Sequence, residues 1–141
     1  MGRSTTSLRL DDELRERLAR RAELEGVSLN ALAERLLKQG LAMIEHPGIL
    51  FNPGPTGWRA TMPGGADVWE LASAVRRWSD VSEAQKIAGL AQEFGVHERV
   101  IVIGLNYAAT HREEIDARVR ANDAMWEEQE RIEKARQSLL A

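Results

Sequence analysis

Thr5, Ser7 and Arg9 are the side chains of this chain best placed for recognition chemistry, because they alternate with Thr6, Leu8 and Leu10. In an extended segment successive side chains face opposite ways. One face of residues 5–10 therefore presents two hydroxyls and a guanidinium, while the other presents a threonine and two leucines. Such a face reads a partner by hydrogen bonds and has nothing with which to break a covalent bond. Candidates for catalysis elsewhere are few. His46, His97 and His111 lack metal-ligand spacing and no cysteine accompanies them, which leaves them as a turn residue and two helix starts. Gly54-Pro55-Thr56-Gly57 lacks the Gly-Lys-Ser/Thr ending and the strand-to-helix setting of a phosphate loop. The acidic residues fall on helix surfaces and caps, so neither an enzyme nor a cofactor or metal site is expected.

Two helices have to hold the recognition face in place. Asp11 is a candidate N-cap for a helix whose apolar stripe is Leu14, Leu18, Ala22 and Leu24, with Arg15, Arg17, Arg20 and Arg21 outside. Gly26 ends it. Ser28 opens a second helix with Leu29, Leu32, Ala33, Leu36, Leu37 and Leu41 as its stripe, expected to end near Gly40. A strand and two helices in about 40 residues bury too little surface to stand alone, and a lone strand has two free edges. A second copy solves both problems: two strands pair into an antiparallel ribbon over four helices, with Thr5, Ser7 and Arg9 of each chain on the outside.

This pattern, an alternating strand, an acidic helix start, a Gly-Val-Ser turn and a Leu-rich second helix over residues 3–43, resembles the ribbon-helix-helix domains of the Arc, MetJ and CopG type. The resemblance implies a homodimer that reads operator DNA through the major groove with strand side chains. It assigns base reading to Thr5, Ser7 and Arg9, with Arg9 suited to a bidentate guanine contact. Arg3 and the backbone amides of Ser28, Leu29 and Asn30, at the opening of the second helix, are placed to hold phosphate. Residues 1–45 carry eight Lys/Arg and eight Asp/Glu, so affinity for DNA has to come from local placement, and salt should weaken it steeply.

A second module begins near His46. Ile49-Leu50-Phe51 and Trp58-Arg59-Ala60-Thr61-Met62 flank a Pro/Gly-rich turn and read as a hairpin, with Trp58 expected to pack over Phe51 or, as the alternative, to anchor a partner. Asp67 with Glu70 and Ser82 with Gln85 have capping-box spacing. They open helices through Trp78 and through Phe94, where Gly95 stops the second. A further helix starts at His97, and Thr110 with Glu113 is a third candidate cap, ahead of a long charged helix towards Leu140. The His97–Ile103 segment carries one Arg and four consecutive β-branched residues, a composition suited to a core or an interface rather than to phosphate contacts.

The order His46-Pro47-Gly48, hairpin, helices, then Tyr107 followed by Glu113-Glu114-Ile115-Asp116 is similar to the DUF433 family of small winged-helix-like domains, over residues 46–118. The segment Asn52–Gly57 departs from the Gly-Arg-Pro-rich hairpin of many members. Members of that family pair with PIN-domain ribonuclease toxins, so the two resemblances together imply a VapB-type antitoxin: a repressor of its own operon that masks its toxin.

The whole reads as mainly α with small β elements: residues 1–45 a ribbon-helix-helix module, 46–118 a hairpin-plus-helices domain, and 119–141 a helical tail. From His111 onward there are six Lys/Arg and eight Asp/Glu. The tail is either a solvated helix laced by pairs such as Glu127 with Arg131 and Glu130 with Lys134, a toxin-binding segment using Trp126, Arg131, Ile132 and Arg136, or a helix that pairs with its twin. No run approaches the roughly 18 apolar residues of a membrane span and no signal-peptide pattern opens the chain, so a cytoplasmic protein is expected. Two other functions fit the same residues. One is a free-standing ribbon-helix-helix regulator whose second domain binds a ligand or another partner. The other is an adaptor whose ribbon serves dimerisation alone.

Overall fold

The computed structural model describes residues 2–141, in six helices and one two-stranded sheet. The chain divides into two compact units between Ala42 and Met43.

In the first unit, α1 spans Asp12–Glu25 and begins where Asp11 Oδ1 accepts the Leu14 N–H at 2.8 Å. Gly26, at φ 67°, ends it by donating to the carbonyls of Ala22 and Glu23, a left-handed closure that a side chain would strain. Helix α2 spans Leu29–Glu45, and Ser28 Oγ accepts from Ala31 N–H at 3.0 Å. It passes through Gly40 rather than ending there. A glycine inside a helix costs about 1 kcal/mol relative to alanine and stops it only by turning left-handed, which Gly40 does not do. The stop falls at His46-Pro47-Gly48, where Gly48 takes φ 103°. Arg35 of α2 grips Glu25 of α1 with both guanidinium nitrogens, at 2.9 and 3.2 Å, and holds that carboxyl below its ordinary pKa.

Two expectations of the sequence concern a pair of chains. Residues 2–11 form no strand within the single chain and are exposed, because a strand is defined by a hydrogen-bonded neighbour and the described residues offer none to that segment. The apolar stripes of the helices are likewise uncovered. Ala22, Leu32 and Ala42 are buried, whereas Leu8, Leu10, Leu14, Leu24, Leu36, Leu37 and Leu41 are exposed.

The second unit opens with β1, Leu50–Gly54, paired antiparallel to β2, Gly57–Thr61, in the register Leu50 to Thr61 and Gly54 to Gly57. Phe51 stands opposite Ala60, and Trp58 opposite Pro53. Gly57, at φ 105°, closes the two-residue Pro55-Thr56 turn. Helices α3 (Val68–Val75), α4 (Glu83–Phe94), α5 (Glu98–Thr110) and α6 (Arg112–Leu140) complete the unit. Glu70 returns its carboxylate to the Asp67 N–H, and Ser82 and Gln85 form a full capping box.

α3 ends at Val75, so Trp78 does not share its helix with Trp69. Trp78 instead lies over Gly89 of α4, so close that a Cβ there would overlap the indole. The core gathers Ile49, Met62, Val68, Leu71, Leu90, Ile101, Tyr107 and Ile115. α5 lies at its centre against α3, α4 and α6. Gly104 lets that helix come close: a Cβ there would sit 2.7 Å from Leu71 Cδ2 and also strike Met62. Burial of Ile101, Gly104 and Tyr107 makes α5 a core helix, as its β-branched run suggests. Among the described residues no helix is long and apolar enough to cross a membrane.

Candidate nucleic-acid and partner interfaces

Thr5, Ser7 and Arg9 are all exposed, ahead of the capped start of α1. Leu8 on the alternate face is also open, at 64 %. Arg3 lies 3.6 Å from Glu34 of α2, with both side chains largely in solvent, a pair too exposed to hold the arginine back from a phosphate. At the start of α2, Ser28 Oγ occupies the Ala31 amide and Ser28 O accepts from Leu32. The amides of Leu29 and Asn30 lie in the same first turn, where the helix dipole favours an anion. The base-reading candidates and Arg3 thus lie on the exposed arm ahead of α1, and Ser28, Leu29 and Asn30 lie at the opening of α2, all on the first unit.

An open groove on that unit is floored by Leu14, Leu18, Leu24 and Leu36 and rimmed by Arg17, Arg20 and Arg21.

The second unit contains a cluster that spacing alone did not single out. His46 begins the link after α2, Tyr107 and Thr110 lie in the last turn of α5, and His111 stands at the joint with α6. The His111 ring stacks on Tyr107, and His46 meets both rings edge-on with centroids 5.4 and 5.5 Å away. Thr110 Oγ1 lies 3.0 Å from His46 Nε2 and 3.0 Å from His111 Nδ1, and also reaches the carbonyls of Asn106 and Tyr107. A hydroxyl carries one proton, so at least one imidazole presents an N–H to it. Tyr107 donates to Glu114 at 2.9 Å, and burial together with that carboxylate raises the phenol pKa far above its ordinary value.

Thr110 is thus occupied at this corner and does not cap α6 with Glu113, as its sequence position suggests. The helix starts after His111 without a side-chain cap. The hairpin is tied to the same helix, because Arg118 donates to Thr56 Oγ1 at 3.1 Å and to the Trp58 carbonyl. Arg59 Nε is ion-paired with Asp67 Oδ2 at 2.8 Å, and Asp67 Oδ2 accepts from Trp69 Nε1 at 2.9 Å. The Tyr107 hydroxyl and the Thr110 hydroxyl both have partners within the unit. The chemistry of the cluster is structural: it brings His46 against Tyr107, Thr110 and His111. Among the described residues no group of three His, Asp or Glu side chains could hold a metal ion.

Beyond Val119, α6 has no buried residue. Trp126 and Ile132 are open at 60 % and 53 %. Arg131 bonds Glu128 through Nε at 2.9 Å, and Arg136 lies 3.6 Å from Glu133. These are i,i+3 partners. Arg131 takes Glu128 in place of the expected Glu127, and this contact holds the Glu128 carboxyl below its ordinary pKa.

The model of the HicB family matches residues 5–37, the stretch that runs from the exposed arm through α1 into α2. It covers just under a quarter of the chain. No curated protein and no solved structure matches the chain.

Proposed function

We propose that the protein is a dimeric, sequence-specific DNA-binding antitoxin that represses its own operon and neutralises a partner ribonuclease of the PIN type. The observation that carries the first half is the open apolar face of the first unit. Leu8, Leu10, Leu14, Leu36, Leu37 and Leu41 are all exposed in the single chain. Burying one such side chain is worth about 1.5–3 kcal/mol, so the face gains strongly from a second copy that also pairs the arm of residues 5–10 into a ribbon. Pairing by Thr6, Leu8 and Leu10 leaves Thr5, Ser7 and Arg9 outward, where a ribbon meets the major groove. The HicB match to the same segment supports the antitoxin half, since that family is of antitoxin type.

The partner half rests on the resemblance of the second unit and on α6. Trp126 and Ile132 offer apolar anchors, and Arg131 and Arg136 offer cations for the carboxylates with which such nucleases hold metal. The test is co-expression with the adjacent reading frame, then purification and binding to the upstream DNA at two salt concentrations. A stable complex whose DNA affinity falls as salt rises supports the reading. DNA binding with no co-purifying partner favours the free-standing regulator, and absence of DNA binding at low salt contradicts both.

A further inference from the structure

The outer part of α6 carries an apolar line that no described residue covers. Met125, Ile132 and Leu139 recur every seven residues and are 60 %, 53 % and 88 % exposed. At 3.6 residues per turn, seven residues bring the helix back to within about 20°, so the three form one nearly straight row. Ala121 lies on the same row and Ala135 beside it, both small enough for another helix to come close. Glu128 and Arg136 stand four residues before and four after Ile132, on opposite flanks of the row at about 40° each. Both keep their charges in solvent, with only neighbouring i,i+3 partners, Arg131 and Glu133.

We propose that this row is covered by the α6 of a second copy, running antiparallel, with the two-fold axis at Ile132. Ile132 then meets the partner's Ile132, and Met125 meets the partner's Leu139. Glu128 comes level with the partner's Arg136, and the reciprocal pair forms on the other side of the axis. The placement of one acid and one base at equal distances from the central isoleucine is what selects this direction. A parallel pair would set Glu128 against Glu128 and Arg136 against Arg136, and like charges face to face disfavour that register. The charges contribute direction more than affinity, which comes from the isoleucine, methionine and leucine. The pair uses Ile132 and Arg136, so capture of a toxin by these residues has to open it. The pairing itself does not depend on the toxin and is testable without one.

The chain has no cysteine, so single cysteines in the full-length protein report the register directly. A disulfide needs Cα atoms roughly 4.4–6.8 Å apart. Under mild oxidation Ile132→Cys should give a covalent dimer. Met125→Cys and Leu139→Cys should each stay uncrosslinked alone and crosslink to one another when the two variants are mixed and allowed to exchange. Lys134→Cys, on the opposite face, sets the background. All three row variants crosslinking with themselves would mean parallel helices and overturn the proposal. None exceeding the Lys134→Cys background would also overturn it and leave the row to a different protein. In the Ile132→Cys protein, Glu128→Arg or Arg136→Glu alone should slow crosslinking about fivefold, from the size of exposed ion pairs. The double exchange should restore the rate, and failure to do so overturns the assigned charge pair.

Discussion

The imidazole of His111 lies flat on the phenol of Tyr107, with ring centroids 4.1 Å apart and planes 9° from parallel. That stack joins the end of α5 to the start of α6, and His46 closes it from the far end of the unit's sequence. Tyr107 is 1 % exposed, so Tyr107→Ala should cost about 3–5 kcal/mol of stability, as large aromatic truncations in cores do. Tyr107→Phe removes only the hydrogen bond to Glu114 and should cost about 1 kcal/mol. Urea unfolding of the two variants separates the contributions. A loss below 1 kcal/mol for Tyr107→Ala would mean that the corner does not hold the unit together.

The same phenol sets an alkaline limit. Its folded pKa lies above the ordinary 10.0 because burial and Glu114 disfavour the phenolate. In the unfolded chain the proton leaves near the ordinary value, so rising pH draws the equilibrium towards unfolding. The tyrosine's contribution is complete below about pH 10 and is lost as pH climbs above it. Tyr107 is the one tyrosine of the chain, which makes ultraviolet titration specific for it. The native protein should show no phenolate at pH 10, whereas half-ionisation there would contradict the buried setting.

Gly104→Ala tests the packing of α5. The added methyl meets Leu71 Cδ2 at 2.7 Å and the Met62 side chain as well. Overpacking of a filled core costs roughly 1–3 kcal/mol, and thermal unfolding should shift accordingly. Gly40→Ala is the opposite case, since nothing lies within 4 Å of the added atom. It should stabilise α2 by about 0.5–1 kcal/mol through helix propensity.

Much of this architecture is legible in the chain because it is written locally. Asp11, Ser28, Ser82 and His97 cap helices from positions that sequence spacing identifies, and Gly26 and Gly95 stop them in the left-handed conformation. Where a local signal competes with another, the reading fails. Gly40 resembles a stop but has no left-handed turn to make, and Thr110 resembles a cap but its hydroxyl is taken by the backbone and two imidazoles. The His46 corner is invisible for a different reason. Its members lie 61 to 65 residues apart in sequence, and only the packing of α5 and α6 brings them together. The arm of residues 5–10 shows the reverse limit: its alternation is plain in the sequence, yet a single chain cannot form the strand.

Ser28 and Arg9 separate a helix cap from a DNA contact. Ser28→Ala removes the cap on the Ala31 amide and should cost about 1 kcal/mol of stability, read by urea unfolding. Arg9→Ala touches no packed residue and should leave folding and dimer mass unchanged. If it reads a guanine, the loss of affinity for the operator is about 1–3 kcal/mol, with much less change on unrelated DNA. Equal loss on both DNAs would make Arg9 a phosphate contact instead.

The most direct test of the dimeric DNA-binding account is the mobility shift of the full-length protein on the DNA upstream of its own gene, at low and moderate salt, beside Arg9→Ala. The account predicts a complex whose protein mass is a multiple of the dimer, weakened by salt and by loss of Arg9. A chain that stays monomeric with its leucines exposed, or that leaves this DNA unshifted at low salt, would contradict it.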